Sequence, residues 1–300
     1  MKVFITGINS FIGSALARSL LQRGHEPVGS VSAAEKLASA NKHSTKSYVV
    51  RMNEEFEPHI FRGVETVVHC AYDLRKGKSA TNVEGTKKIA QAAMDEGVKW
   101  QIYIGSYSAH EKATSEYGRS KLELEKFFLS LGQIVVKPGL VIGNGGIFLK
   151  VSSFARKYPL VPLIDGGKGK LTVVSISDLT TALLQLIENP RPGRFRLYND
   201  EQVTFKQLMV QLKRVGGFKT LLIPVPGKMV YMGLWMAGKL KLPLQVDTGN
   251  LEGFQANQFV NEPSDLRQFV SQAMTLPEMV ANSLETDRLS KSAYGNKNAQ

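Results

Sequence analysis

Tyr117 and Lys121 stand four residues apart in Tyr117-Gly118-Arg119-Ser120-Lys121, a spacing that puts both side chains on one face if the segment is helical. A tyrosine with its ordinary pKa of about 10 is a poor proton shuttle at neutral pH, and lowering it by about three units takes about 4 kcal/mol of differential stabilisation. A cation about 4 Å away supplies roughly that amount at an effective dielectric of about 20. The pair therefore suits proton transfer to or from a hydroxyl or carbonyl, although the same spacing is common on surface helices.

The second constellation is Val3-Phe4-Ile5-Thr6-Gly7-Ile8-Asn9-Ser10-Phe11-Ile12-Gly13, which reads as a strand, a tight turn and a helix start. Gly7 permits the turn, and Gly13 lets the helix pack close to the strand. The helix N-terminus attracts a pyrophosphate through its N–H groups and dipole. Gly7, Asn9, Ser10, Phe11, Ile12 and Gly13 are thus candidate dinucleotide contacts. Cofactor choice should fall at Ser32, after the second strand, where an acid would bind adenosine ribose hydroxyls and a base would accept a 2′-phosphate. Ser30, Val31 and Ser32 are uncharged and Lys36 is near, which points within NAD(P) towards NADP.

The elements that would carry these residues alternate short apolar runs with amphipathic ones, the pattern of βαβ units feeding a parallel sheet. Strands are expected at Lys2–Ile5, Pro27–Val31, Ser47–Val50, Thr66–Cys70, Gln101–Ile104 and Gln133–Val136. Helices are expected at Phe11–Gln22, Thr81–Glu96 and Lys112–Leu131, from apolar spacing of three and four. This is a Rossmann-type doubly wound α/β sheet, whose ligand lies at the carboxyl ends of the strands. After Pro138, glycines break the pattern into loops. A smaller C-terminal α/β substrate lobe is therefore expected over 139–285, beside a dinucleotide domain over 1–138 to which some later segments return. In the lobe, Ile147–Tyr158, Asp178–Glu188, Phe205–Val215 and Lys228–Leu240 read as helices and Arg194–Tyr198 as an edge strand. The polar stretch 286–300 reads as a frayed tail.

Composition narrows the function class. At 300 residues, 43% hydrophobic and 21% charged, the chain falls in the range of globular proteins. Its single cysteine, Cys70, excludes an intramolecular disulfide and a cysteine-based zinc site, and suggests a reducing compartment. Met1 to Gly7 runs into a glycine turn instead of a cleavage site, so a cytoplasmic location is expected. The net charge is +12, and Lys206 to Lys241 holds seven Lys or Arg and no acid. No nucleic-acid recognition motif accompanies that charge. The apolar stretch within 228–241 is shorter than the roughly 20 residues of a membrane span, which leaves a packed lobe helix or peripheral contact with an anionic membrane surface. Arg191, Arg194 and Arg196 read as exposed strand charges or a diphosphate clamp.

Taken jointly and in order, Thr6-Gly7 to Gly13, Val67-Val68-His69-Cys70-Ala71, Asn82-Val83-Glu84-Gly85-Thr86, Gly105-Ser106, Tyr117 to Lys121, Lys137-Pro138-Gly139 and Ser175 to Asp178 make residues 1–200 similar to the short-chain dehydrogenase/reductase superfamily. The resemblance is to its extended and atypical branch, the NAD-dependent epimerase/dehydratase family. It implies that Tyr117 is the acid or base towards a substrate hydroxyl or carbonyl, and that Lys121 lowers its pKa and holds the nicotinamide ribose. Ser106 would orient the substrate, with Ser108 competing for that role. It also implies that Ala71, Tyr72, Asn82 and Pro138 support the cofactor. A small-molecule substrate such as a nucleotide sugar, and a homodimer through the Thr81 and Tyr117 helices, follow from the same resemblance.

The chain departs from the family pattern at three places. Ser10 stands where glycine is usual, Arg51-Met52-Asn53 follows the third strand instead of an acid, and only residues 107–116 separate Ser106 from Tyr117. Dehydratases of this type place an Asp-Glu pair after the serine or threonine, and Tyr107-Ser108-Ala109 offers neither. Oxidation, reduction or epimerisation of a secondary alcohol or carbonyl is therefore expected before dehydration. The rival expectation is a non-catalytic NAD(P)-binding regulator or structural subunit of the same fold.

Overall fold

The computed structural model describes residues 1–230, 232 and 262–295, with side chains through 287. In chain order its strands and α-helices are β1 (Lys2–Thr6), α1 (Phe11–Gln22), β2 (Glu26–Val31), the short α2 (Leu37–Ala40), β3 (Lys46–Val49), β4 (Thr66–His69), α3 (Ser79–Asp95), β5 (Trp100–Ile104), α4 (Glu116–Ser130) and β6 (Ile134–Pro138). There follow β7 (Leu140–Ile142), α5 (Gly146–Lys157), β8 (Leu160–Ile164), β9 (Lys170–Leu171), β10 (Val173–Ser175), α6 (Ile176–Glu188), β11 (Gly193–Leu197), β12 (Val203–Thr204), α7 (Phe205–Gly216), β13 (Leu221–Val225) and α8 (Leu276–Gly295).

Seven strands form one sheet in the order β11-β6-β5-β4-β1-β2-β3, every pair parallel. Val3, Ile5, Val67, Val68, Ile102 and Val135 are fully buried, as expected of strands covered on both faces by crossover helices. One face packs Leu16 and Leu20 of α1 against Leu183, Leu186 and Ile187 of α6. The other packs Tyr103 of β5 against Leu124 and Phe128 of α4, with Ala90 of α3. A separate core joins Phe148 of α5, Val161 and Leu163 of β8, Leu208 and Leu212 of α7, and Met279 and Val280 of α8. This second core is the lobe.

Three allocations differ from those read along the chain. The strand expected at the lobe edge over Arg194–Tyr198 is β11, which pairs in parallel with β6 as the seventh strand of the main sheet. The helix expected in the lobe over Asp178–Glu188 is α6, buried against α1. The expected tail is not frayed over its first part, because α8 runs to Gly295. The helix expected over Lys228–Leu240 lies mostly outside the described residues, although 227–230 are helical. Among the described residues no helix is long and apolar enough to cross a membrane, and no His, Cys, Asp and Glu cluster could hold a metal ion.

Candidate functional site

At the carboxyl end of β1 the backbone turns at Gly7, whose φ of 64° lies in the left-handed region that favours glycine. The turn closes by the Ser10 N–H donating to the Gly7 carbonyl at 2.8 Å. A Cβ at Gly7 would stand 3.0 Å from Ala71 Cα, and one at Gly13 would stand 2.5 Å from the Gly7 oxygen. The absence of both side chains opens the cradle that a pyrophosphate needs against the start of α1, so these residues fit a dinucleotide. Ser10 caps α1, its Oγ accepting from the Gly13 N–H at 3.2 Å, so its side chain turns back on the helix. Phe11 faces the lobe, where a Cβ at Gly145 would lie 2.2 Å from its ring. Ile12 packs against the main core, and Asn9 lies partly buried within the turn.

Beyond the adjacent strand, Ser32 is exposed and carries two cations. Lys36 Nζ donates to Ser32 Oγ at 2.8 Å, and Arg51 Nε donates to the Ser32 carbonyl at 3.1 Å. The Arg51 guanidinium also forks onto Glu54 at 3.0 and 2.9 Å. Arg51 comes from the loop after β3, so only the parallel pairing of β2 and β3 brings it here.

Thr6 Oγ1 accepts from the Ala71 N–H at 3.1 Å, which ties the turn to the chain leaving β4. Asn82, fully buried on α3, holds both the N–H and the carbonyl of Asp73, each at 2.8 Å. That clamp fixes Tyr72, whose hydroxyl lies 2.7 Å from Ser120 Oγ and whose ring meets Tyr117 edge to face at 5.3 Å. Pro138, at the buried end of β6, accepts from the Tyr107 N–H at 3.1 Å.

Ser115 caps α4 by accepting from the Gly118 N–H, so the helix begins at Glu116 and not at Lys112. Tyr117 and Lys121 consequently occupy its first turns on one face. The Tyr117 hydroxyl is hydrogen-bonded to Ser106, and Ser106 Oγ also accepts from the Ser108 N–H at 3.1 Å. Lys121 is buried, donates to the Ile104 carbonyl at 2.8 Å, and lies 4.4 Å from the Tyr72 ring centre and 6.0 Å from that of Tyr117.

The expected electrostatic effect of Lys121 on Tyr117 is not met in this structure. Burial pushes the Tyr117 hydroxyl above its ordinary value, opposed by the Ser106 hydrogen bond, with Tyr72 adding to the rise. Burial likewise brings Lys121 down to about 7, with Cys70 raising it in part. Removal from water dominates both shifts, and neither group is a cause of the other's.

A network of charges built on Glu125 and Glu262, which no motif marks, begins one turn beyond Lys121 on α4. Glu125 is buried and meets Arg194 at 2.5 Å and Lys137 at 3.4 Å. Lys137 Nζ also donates to the Ala109 carbonyl at 2.6 Å, inside the loop between Ser106 and Tyr117. Glu262 meets Arg196 at 2.6 Å and Lys137 at 3.9 Å. Burial would raise the Glu262 carboxyl, but Arg196, Lys137 and Arg194 hold it below the usual carboxylate range. Arg194 and Arg196 therefore pair with Glu125 and Glu262, Arg194 remaining exposed, and Arg191, also exposed, lies over Phe195 and Phe269. A lysine within the apolar run Ile134–Pro138 is the sequence signal for this network, since a charge inside a buried strand requires partners.

A cavity of about 340 Å³ opens beside this network, lined by Thr172, Tyr198, Glu262 and Ser264 among others. Tyr198 meets the ring of Tyr107 at 5.3 Å. A larger cavity of about 530 Å³ lies between Tyr198–Val203, α7 and residues 266–277, and none of the expected site residues lines it.

Residues 3–199 match the NAD dependent epimerase/dehydratase family. A UDP-glucose 4-epimerase of Vibrio cholerae is 24% identical over 263 residues, spanning 75% of this chain and 79% of that protein. A ceramide reductase of Caulobacter vibrioides is 24% identical over 250 residues, spanning 79% of this chain and 76% of that protein. The structure of a UDP-glucose 4-epimerase of Thermotoga maritima, solved with UDP-glucose, is similar with a TM-score of 0.75 at 18% identity, covering 97% of this chain and 99% of that one. That likeness shows the shared fold. With the match running from β1 past the end of β11, and with the glycine turn and the Tyr117 helix both inside it, the chain belongs to the NAD dependent epimerase/dehydratase family.

Proposed function

We propose that this protein is an NAD(P)-dependent oxidoreductase or epimerase that acts on a secondary alcohol or carbonyl. The observation that carries the reading is the meeting of Ser106, Tyr117 and Lys121 at the carboxyl end of β5, joined through Tyr72 to the glycine turn. A bound nicotinamide supplies or accepts the hydride. Ser106 orients the substrate oxygen, and Tyr117, held protonated by burial, donates its proton to that oxygen as the carbonyl is reduced. Lys121, beside Tyr117, would hold the nicotinamide ribose. Gly7, Asn9, Ser10, Phe11, Ile12, Gly13, Ala71, Tyr72, Asn82 and Pro138 form or support the rest of the dinucleotide site.

The pairing of Lys36 and Arg51 around Ser32 supports NADP over NAD, because two cations at the adenosine ribose favour a 2′-phosphate. The substrate class that accommodates both a sugar-nucleotide epimerase and a ceramide reductase among the relatives is a chiral secondary alcohol or its ketone, with a nucleotide sugar as the leading candidate. Titration with NADPH and NADH, followed by fluorescence and melting temperature, tests the reading. NADPH should bind more tightly, and Tyr117→Phe should abolish turnover while leaving cofactor binding nearly intact. No response to either dinucleotide at millimolar concentration would overturn the reading, whereas binding of either without turnover would favour a non-catalytic NAD(P)-binding regulator.

A further inference from the structure

The lobe carries a small sheet whose two faces are both apolar. β8 and β13 pair in parallel with Leu221 opposite Leu160, Ile223 opposite Pro162 and Val225 opposite Ile164. The inward positions Val161, Leu163 and Leu222 join the lobe core. The outward positions alternate with them, and Leu160, Leu221 and Ile223 are 50%, 60% and 41% exposed. A strand with one solvated face normally places polar residues outward, and here six outward positions hold none. Tyr158, whose extended backbone leads into β8, and Phe154 enlarge the apolar surface, with Met229 and Met232 exposed just after β13.

The chain segments that build this face carry charges of one sign, with Arg156 paired to Asp287 of α8. The segments 146–164 and 205–230, which supply α5, β8, α7 and β13, contain Lys150, Arg156, Lys157, Lys206, Lys213, Arg214, Lys219 and Lys228 and not one acid. Lys157, Lys219 and Lys228 are exposed and directly flank the two strands in the chain. The first acid after β8 is Asp165, whose carboxylate accepts the Gly227 N–H at 2.7 Å. A large apolar patch marks a binding surface. A border dominated by cations selects an anionic partner, and an apolar face so bordered matches an anionic lipid surface, where side chains enter the acyl boundary and lysines remain among the headgroups.

We propose that the outer face of β8 and β13, with Tyr158, Met229 and Met232, docks this protein on an anionic membrane surface. The inference extends the lipid contact expected of 228–241 to a face built by the lobe, and it stands independently of the proposed chemistry at Tyr117. Co-sedimentation of the full chain tests it, with vesicles of phosphatidylcholine alone or of equal parts phosphatidylcholine and phosphatidylglycerol. Binding should be at least about tenfold stronger to the mixed vesicles and should weaken with added salt. The double variant Leu221→Asp/Ile223→Asp should lose it. Lys157→Glu/Lys219→Glu leaves the apolar face intact and should reduce binding by about tenfold at unchanged melting temperature, so the proposal stays testable if the first variant misfolds. Failure to sediment with mixed vesicles, equal binding to both compositions, or wild-type binding by the lysine variant would overturn it. So would a dimer in lipid-free buffer that Leu221→Asp splits, because a second copy would then cover the face.

Discussion

A lysine ammonium enclosed by Tyr72, Tyr103 and Tyr117 keeps one backbone carbonyl as its hydrogen-bond acceptor, at Ile104. Burial brings Lys121 down to about 7, whereas in an unfolded chain a lysine holds its proton to about pH 10. Between those values the unfolded state binds more protons, so this residue makes stability rise with pH, by about 1.4 kcal/mol per unit. Lys121→Met should remove that slope. Urea unfolding of wild type and variant near neutrality and again at about pH 9 should show the wild type gaining about 2 kcal/mol on the variant at the higher pH. An unchanged difference would mean that Lys121 is solvated. The raised Tyr117 hydroxyl keeps its proton at neutral pH, ready to donate it to a carbonyl oxygen. The spacing of Tyr117 and Lys121 was readable along the chain. The sign of the Tyr117 shift was not, because burial depends on residues distant in sequence.

Helix ends connect the motifs to the fold. Ser10, Ser115 and Ser175 each cap a helix by accepting an N–H three residues on, and the first two set where the glycine turn and Tyr117 lie. Between elements, α1 meets the lobe through Phe11, packed on Gly143 and Gly145. Gly145 is extended with φ 178°, a conformation any residue adopts, so Gly145→Ala tests space alone. The added methyl would overlap the Phe11 ring and should cost about 1–3 kcal/mol. It should also weaken NADPH binding by displacing the first turn of α1. Unaltered melting temperature and affinity would show that Phe11 yields freely. Periodicity placed α1 at its observed bounds, but the start of α4 needed the Ser115 cap, and β7, β9 and β10, of two or three residues each, were too short to show a period.

Across the whole molecule, Glu125 and Lys137 join the Tyr117 helix, the end of β6, the seventh strand and residues 262–265 into one network. Breaking a buried pair leaves an uncompensated charge, which typically costs about 3–5 kcal/mol. Glu125→Gln should therefore destabilise by about 3 kcal/mol, read as a lower denaturant midpoint. The Ser106–Tyr117 loop should also lose order, because Lys137 Nζ holds the Ala109 carbonyl. A loss below about 0.5 kcal/mol, the range of ordinary surface substitutions, would mean that Lys137 and Arg194 find other partners.

The sequence by itself determined what local chemistry can encode. The glycine turn follows from backbone sterics, the alternation of strands and helices from hydrophobic period, and the Tyr117/Lys121 face from helical geometry. Only the tertiary structure decided what depends on pairing across long separations. It put β11 into the main sheet and α6 against α1, where an isolated pattern read as lobe. It gathered Lys36 and Arg51 at Ser32, and it gave Arg194 and Arg196 carboxylate partners and Arg191 two ring contacts. Strand order and burial set which charges meet and how much water they keep, and neither quantity is a property of a local stretch of chain.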